Sequence, residues 1–166
     1  MYTSIKEFVE DWNRESASSL KVERALTDAS LSRSSDPEGR TLGNLAWHMV
    51  VMIGGMGGAA GLAIAAPPRG SETPATAAAI ADAYEKAARS MAEEAAAKLK
   101  DEQLATEVSA FGRSMSIASL LQGLVRHQIH HRAQMTILMR MAGLVVPGIY
   151  GPSREESAAM RAKQGR

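Results

Sequence analysis

Four histidines and no cysteine stand among the 166 residues, so any metal in this chain must be held by nitrogen and oxygen. His127 and His131 are one helical turn apart. At about 100° per residue, His131 falls near 40° from His127, Leu120 and Leu138 near 20°, and Leu124 and Ala142 near 60°. Both imidazoles therefore share one inward face, stacked closely enough to share an ion. His48 aligns in the same way with Leu45, Met52 and Gly55, whereas His130 lies at the edge of its stripe. A lone core histidine is ordinarily a satisfied structural residue. Three of them without a common partner leave several polar atoms unpaired, at about 1–3 kcal/mol each. A divalent cation bound by His48, His127 and His131 removes that cost. Three neutral ligands leave a coordination position open, as in a catalytic site and unlike a closed structural one. Three imidazoles suit zinc, nickel, copper or iron nearly equally.

Other residues have two readings each. Glu23 shares the inward stripe of the first helix with Phe8, Trp12 and Ser19; it either orients an imidazole or meets solvent near an open end, and the second is the commoner fate of a carboxylate. Arg132 reads as a surface or interface charge, and as a weaker candidate for binding an anionic substrate near the site. Gly54, Gly55, Gly57, Gly58 and Gly61 each cost a helix about 1 kcal/mol relative to Ala. Close approach of a neighbouring helix or subunit is the favoured compensation, and a ligand-binding kink is the other.

The elements that must carry these residues are helical. Ser4 and Glu7 form a capping-box pattern ahead of Ile5, Phe8, Val9 and Trp12 at helical spacing, which predicts a first helix over 4–29. Residues 30–40 read as a loop. Thr41 caps a second helix that must end before Pro67 and Pro68. Thr73 and Pro74 begin a third, with Ile80, Tyr84, Ala87, Met91 and Leu99 as its stripe. The pattern breaks over 100–115. Ser116 caps a fourth helix that runs to Ala142 and stops at Gly143. The tail over 145–153 is irregular, and Ser153 with Glu156 caps a short last helix. Four amphipathic helices of this length make an all-α four-helix bundle with a short C-terminal extension, in a single domain over 1–166.

Composition narrows the partners. With 19 basic against 18 acidic residues, no broad positive field exists for nucleic acid. Residues 45–66 match a membrane span in length, but His48, five glycines and the lack of a second span or aromatic belt argue against it. Residues 1–10 carry Lys6, Glu7 and Glu10 and lack the layout of a secretion signal. A cytoplasmic protein is expected. Val125 and Ile129 fall on the outer face of the fourth helix, which suggests a homodimer, or packing of the C-terminal tail there.

The run His127, Gln128, Ile129, His130, His131, Arg132, Ala133, Gln134 and Met135 resembles the fourth-helix signature of the DinB-like family of metal-binding bundles. Upstream, Thr41 to His48 resemble its second-helix signature; downstream, Gly143, Leu144, Val146, Pro147, Ile149, Tyr150, Gly151, Pro152 and Ser153 resemble its ending. The resemblance spans nearly the whole chain. It departs after His48, where Met56 and the glycines replace bulkier residues. It implies an up-down-down-up bundle, frequent homodimers, and a nickel- or zinc-binding site at His48, His127 and His131. Some relatives are transferases and isomerases that use a low-molecular-weight thiol as cosubstrate. Two expectations follow: a metal-dependent enzyme of the thiol-dependent transferase type, or a non-catalytic metal-binding stress-response or small-molecule-binding bundle. A third outcome, a site that has lost its metal, is decided by metal analysis.

Overall fold

Each long helix starts where a hydroxyl can accept an amide hydrogen that has no intrahelical partner. Ser4 Oγ accepts from the amide of Glu7, Thr41 Oγ1 from Asn44, Thr76 Oγ1 from Ala79 and Ser116 Oγ from Ser119. The structure, a computed structural model that describes residues 1–165, accordingly contains α1 (Ile5–Arg24), α2 (Leu42–Ala59), α3 (Ala77–Lys98) and α4 (Ile117–Met141). A hairpin of β1 (Glu107–Ala110) and β2 (Arg113–Ser116) precedes α4, and α5 (Arg154–Lys163) ends the chain.

Two boundaries differ from expectation, each because a polar side chain is engaged elsewhere. The first helix stops at Arg24 and not near residue 29, because Asp28 leaves the helical path to accept the amide of Ala77 at 2.7 Å. Asp101, just after α3, accepts the amide of Ile5 at 2.7 Å. Each of this antiparallel pair thus caps the start of its partner, where a carboxylate also meets the positive end of the helix dipole. The third helix begins after Thr76 and not after Thr73, whose hydroxyl accepts from Asn44 Nδ2 on α2. The broken pattern over 100–115 resolves into a short 3-10 turn (Asp101–Ala105) and the hairpin. Phe111 and Gly112 have φ of 54° and 74°, the two left-handed residues that a tight hairpin turn requires.

The packing order around the bundle is α1, α3, α2, α4. Trp47 Nε1 donates to the carbonyl of Ser71, so the starts of α2 and α3 lie together. The chain leaving α1 at Thr27, Ala29 and Ser30 lines one cavity with Met141 and Ala142 at the end of α4. The helices therefore run up, down, down, up. Two parallel neighbours need a long return between them, and residues 60–76 supply it by running back along α2. The amide of Ala63 donates to Glu94 and that of Ala65 to Ser90 on α3. Ile64 lies over Gly57 and Ala66 over Gly54, where an added Cβ would stand 2.8 Å from the Ala66 Cβ. Close approach accounts for those two glycines: the return segment lies over both, and Met91 of the neighbouring α3 also reaches Gly57. Gly61, with φ of 82°, makes the turn that begins it. Among the described residues no helix is long and apolar enough to cross a membrane.

Fully buried Phe8, Trp12, Met49, Ile53, Ile80, Tyr84, Met91, Leu120, Leu124 and Met135 fill the core. Gln128 is buried among them and satisfied: it donates to the carbonyl of Met49 and accepts from the Tyr84 hydroxyl, each at 3.1 Å. Val125 belongs to this core and Ile129 packs against it. The chain covers Val125 fully and Ile129 in part, so neither residue alone calls for a second copy.

Candidate metal centre

Because α2 and α4 are antiparallel neighbours, residues of increasing number on one meet residues of decreasing number on the other. Leu45 and Leu138 line one cavity, and Met56 reaches Gly123 further along. His48 is thereby set level with His127 and His131. The ring centroids lie 4.9 Å apart for His48 and His127, 4.8 Å for His48 and His131, and 4.4 Å for His127 and His131. One nitrogen from each ring falls within 4.8 Å of the other two.

His48 Nε2 and His127 Nε2 are 3.0 Å apart. Two bonds from a tetrahedral zinc ion would set such nitrogens about 3.3 Å apart, so a small shift admits a shared cation. Gln134 settles the choice of nitrogen on the third ring. Its Oε1 lies 2.7 Å from His131 Nδ1 and accepts the hydrogen there, leaving the Nε2 lone pair free. A hydrogen bond on the far nitrogen is the usual way in which a ligand imidazole is fixed in tautomer and orientation. On His127 the corresponding Nδ1 is buried without a partner.

Burial holds all three rings neutral. It pushes His48 down to about 4, helped by Arg40, His131 and Arg69, and His127 to about 3, helped by its fellow histidines and by Arg40. His131 is lowered for the same first reason, against the opposing hydrogen bond to Gln134. Near neutral pH the rings are unprotonated, as metal ligands must be. The donor set and its geometry fit a divalent cation.

The sequence placed the three histidines on the inward apolar face; the structure sets them at its margin, each half-buried. The most buried line of α4 runs instead through Leu121, Leu124, Gln128, Arg132 and Met135. Helix α4 packs against α1 on one side and α2 on the other, so its buried arc is wide. The imidazoles occupy the α2 edge, where cavities open, and His130 is exposed beyond it.

Arg132 is corrected outright. It is 2% exposed, neither a surface charge nor open to a substrate. Its guanidinium donates to the carbonyl and carboxylate of Glu15, to Ser19 Oγ and to the Tyr150 hydroxyl. Those bonds tie α4 to α1 and to the tail. Glu23 is corrected as well: it meets neither an imidazole nor solvent. It is 1% exposed with both oxygens unpartnered, and burial pushes its carboxyl up to about 8. The last turn of α1 is no open end, since Arg24 bridges there to Asp82 and Glu85 on α3.

Three residues near the imidazoles are given no role by the sequence. The signal that could have found Gln134 is its i+3 spacing from His131. Arg40 lies in the loop that leads into α2, and Arg69 comes beside His48 only through the return of the chain after α2.

The Bacillus subtilis (strain 168) protein YrdA is 39% identical over 158 residues, 95% of each chain. The crystal structure of a DinB-like protein from Bacillus cereus ATCC 10987 superposes with a TM-score of 0.86 at 40% identity, over 90% of this chain and 100% of that one. A second DinB-like protein, YjoA from Bacillus subtilis, shares the fold at a TM-score of 0.69 and 15% identity, over 89% of this chain and 99% of that one. The family model described as the DinB family matches residues 1–165, and the chain belongs to that family.

Proposed function

We propose that this protein binds one divalent cation through His48, His127 and His131 and uses it in transferase chemistry with a low-molecular-weight thiol. The observation that carries the metal reading is the convergence of three neutral ring nitrogens within 4.8 Å of one another. When bound, a cation supplies a positive charge that lowers the pKa of a thiol or water in the remaining coordination position. The chain supplies the rest. Gln134 fixes one ring, the α2–α4 packing aligns the other two, and the half-buried margin of the bundle lets a small molecule approach. Zinc and nickel fit the all-nitrogen donor set. The thiol-transferase part rests on resemblance to family members.

One observation favours a non-catalytic metal-binding bundle as the second reading. Among the described residues, the charged groups that act on the three rings are arginines and His130, not a carboxylate placed to move protons. Elemental analysis of protein purified without an affinity tag tests the metal, with near-stoichiometric content expected and little in His127→Ala. Thiol-dependent transfer to an electrophilic test substrate, with and without metal, separates the readings; no turnover across several thiols selects the second. A homodimer is part of the proposal, and sedimentation giving a monomer at micromolar concentration removes it.

A further inference from the structure

Two cavities flank the imidazoles, and both are lined by Arg40. One, of about 400 Å³, reaches His131, Gln134 and Leu138; the other, of about 380 Å³, reaches His48, Met52 and Arg69. Neither arginine has a carboxylate partner among the described residues, and both side chains are exposed. Both charges act on His48. The approach to the three rings is therefore positive, with hydrogen-bonding capacity to spare. Ser71 Oγ, which lines the second cavity, is buried there without a partner.

The second cavity continues into a third, of about 320 Å³, with which it shares Val51, Met52 and Arg69. This third cavity lies between α2 and the hairpin, lined chiefly by apolar residues, with Ala59 on one side and Phe111 at the hairpin tip. Gly55 is on its wall. Unlike Gly54 and Gly57, it has no close neighbour: a Cβ there would meet nothing within 4 Å. A glycine costs helix stability, and at position 55 no packing within the chain offsets it. A long side chain at position 55 would enter the cleft.

We infer that the cleft binds an amphiphilic organic anion, with its carboxylate between Arg40 and Arg69 beside the imidazoles and its apolar body over Gly55 beneath Phe111. The inference rests on the metal-site reading for what the carboxylate end adjoins. Arginine matches a carboxylate in geometry as well as charge, and a mostly apolar cleft with a few convergent polar groups is the usual form of a small-molecule site. Seven residues of helix separate His48 from Gly55, about 10 Å, which suits a medium-chain acid.

Isothermal titration of the zinc-loaded chain with octanoate, and separately with octylamine, tests this. Octanoate should bind, and octylamine at least tenfold more weakly. Arg69→Ala and Gly55→Leu should each weaken octanoate at least tenfold, the first by removing the charge and the second by filling the cleft. Zinc content and the circular dichroism spectrum should stay unchanged in both variants. No binding of octanoate, equal binding of octylamine, or octanoate binding that survives both substitutions overturns the inference. If the parent holds no zinc, the metal-site reading fails separately, and the same titration of the metal-free chain still judges the cleft.

Discussion

Gln134 gives His131 an environment that neither other imidazole has. With its Oε1 taking the Nδ1 hydrogen, the ring is held in one tautomer before any ion arrives. Loss of such a partner typically costs 10–100-fold in metal affinity. Gln134→Leu should therefore weaken zinc binding by about that factor in competition with a chromogenic chelator, with the fold unchanged. Glu23 makes a different kind of prediction. In the unfolded chain its carboxyl ionises near 4.5, whereas in the folded chain burial holds the proton until about 8. Below pH 4.5 both states are protonated, and between 4.5 and 8 the unfolded state alone has lost its proton. Folding stability contributed by this group therefore falls as pH rises through that window, and the loss is complete above about 8. Glu23→Gln removes this dependence. Urea unfolding of the metal-free chain at pH 5 and pH 8 should show the variant gaining on the parent at the higher pH.

Helix α2 carries glycines of opposite consequence within one turn. Gly57 lies under Ile64 and against Met91, where a side chain has no room. Gly57→Val should destabilise by about 1–3 kcal/mol, the usual cost of overpacking, and should displace the return segment over 60–76. Gly58 is exposed with nothing within 4 Å; Gly58→Ala should stabilise by about 1 kcal/mol. Denaturant midpoints of the two variants against the parent check both signs. Nothing in the structure explains why position 58 is glycine. The same return segment accounts for the membrane-like stretch over 45–66. Its apolar residues are divided between a helix that ends at Ala59 and an extended strip packed back against that helix.

The bundle as a whole does not depend on the metal for its core. Phe8, Trp12, Ile80, Tyr84, Leu120 and Leu124 are fully buried, and the mutual capping of α1 and α3 involves no histidine. A chelator should thus leave the far-ultraviolet circular dichroism near its parent value while lowering the melting temperature. Metal at 100 times its dissociation constant adds about 2.7 kcal/mol to folded-state stability, so restoring zinc should restore the midpoint. Full unfolding on chelation would point instead to a structural metal.

The order of the elements, the caps at Ser4, Thr41 and Ser116, and the convergence of His48, His127 and His131 were legible from periodicity and spacing. The caps and the His127–His131 pair are local: a hydroxyl caps the turn that follows it, and an i, i+4 pair shares a face wherever its helix lies; His48 joins them through its own inward position on a second helix. The early end of the first helix, the late start of the third and the environments of Glu23 and Arg132 were not, because each depended on a partner distant in sequence. Asp28 was drawn to Ala77, Thr73 to Asn44, and Arg132 to Glu15 and Tyr150. A charged residue on a predicted helix face has no fixed environment until the neighbouring helices are placed. That placement, with α4 between α1 and α2, is what buried Arg132 and left the imidazoles at the margin, while the return after α2 brought Arg69 beside them.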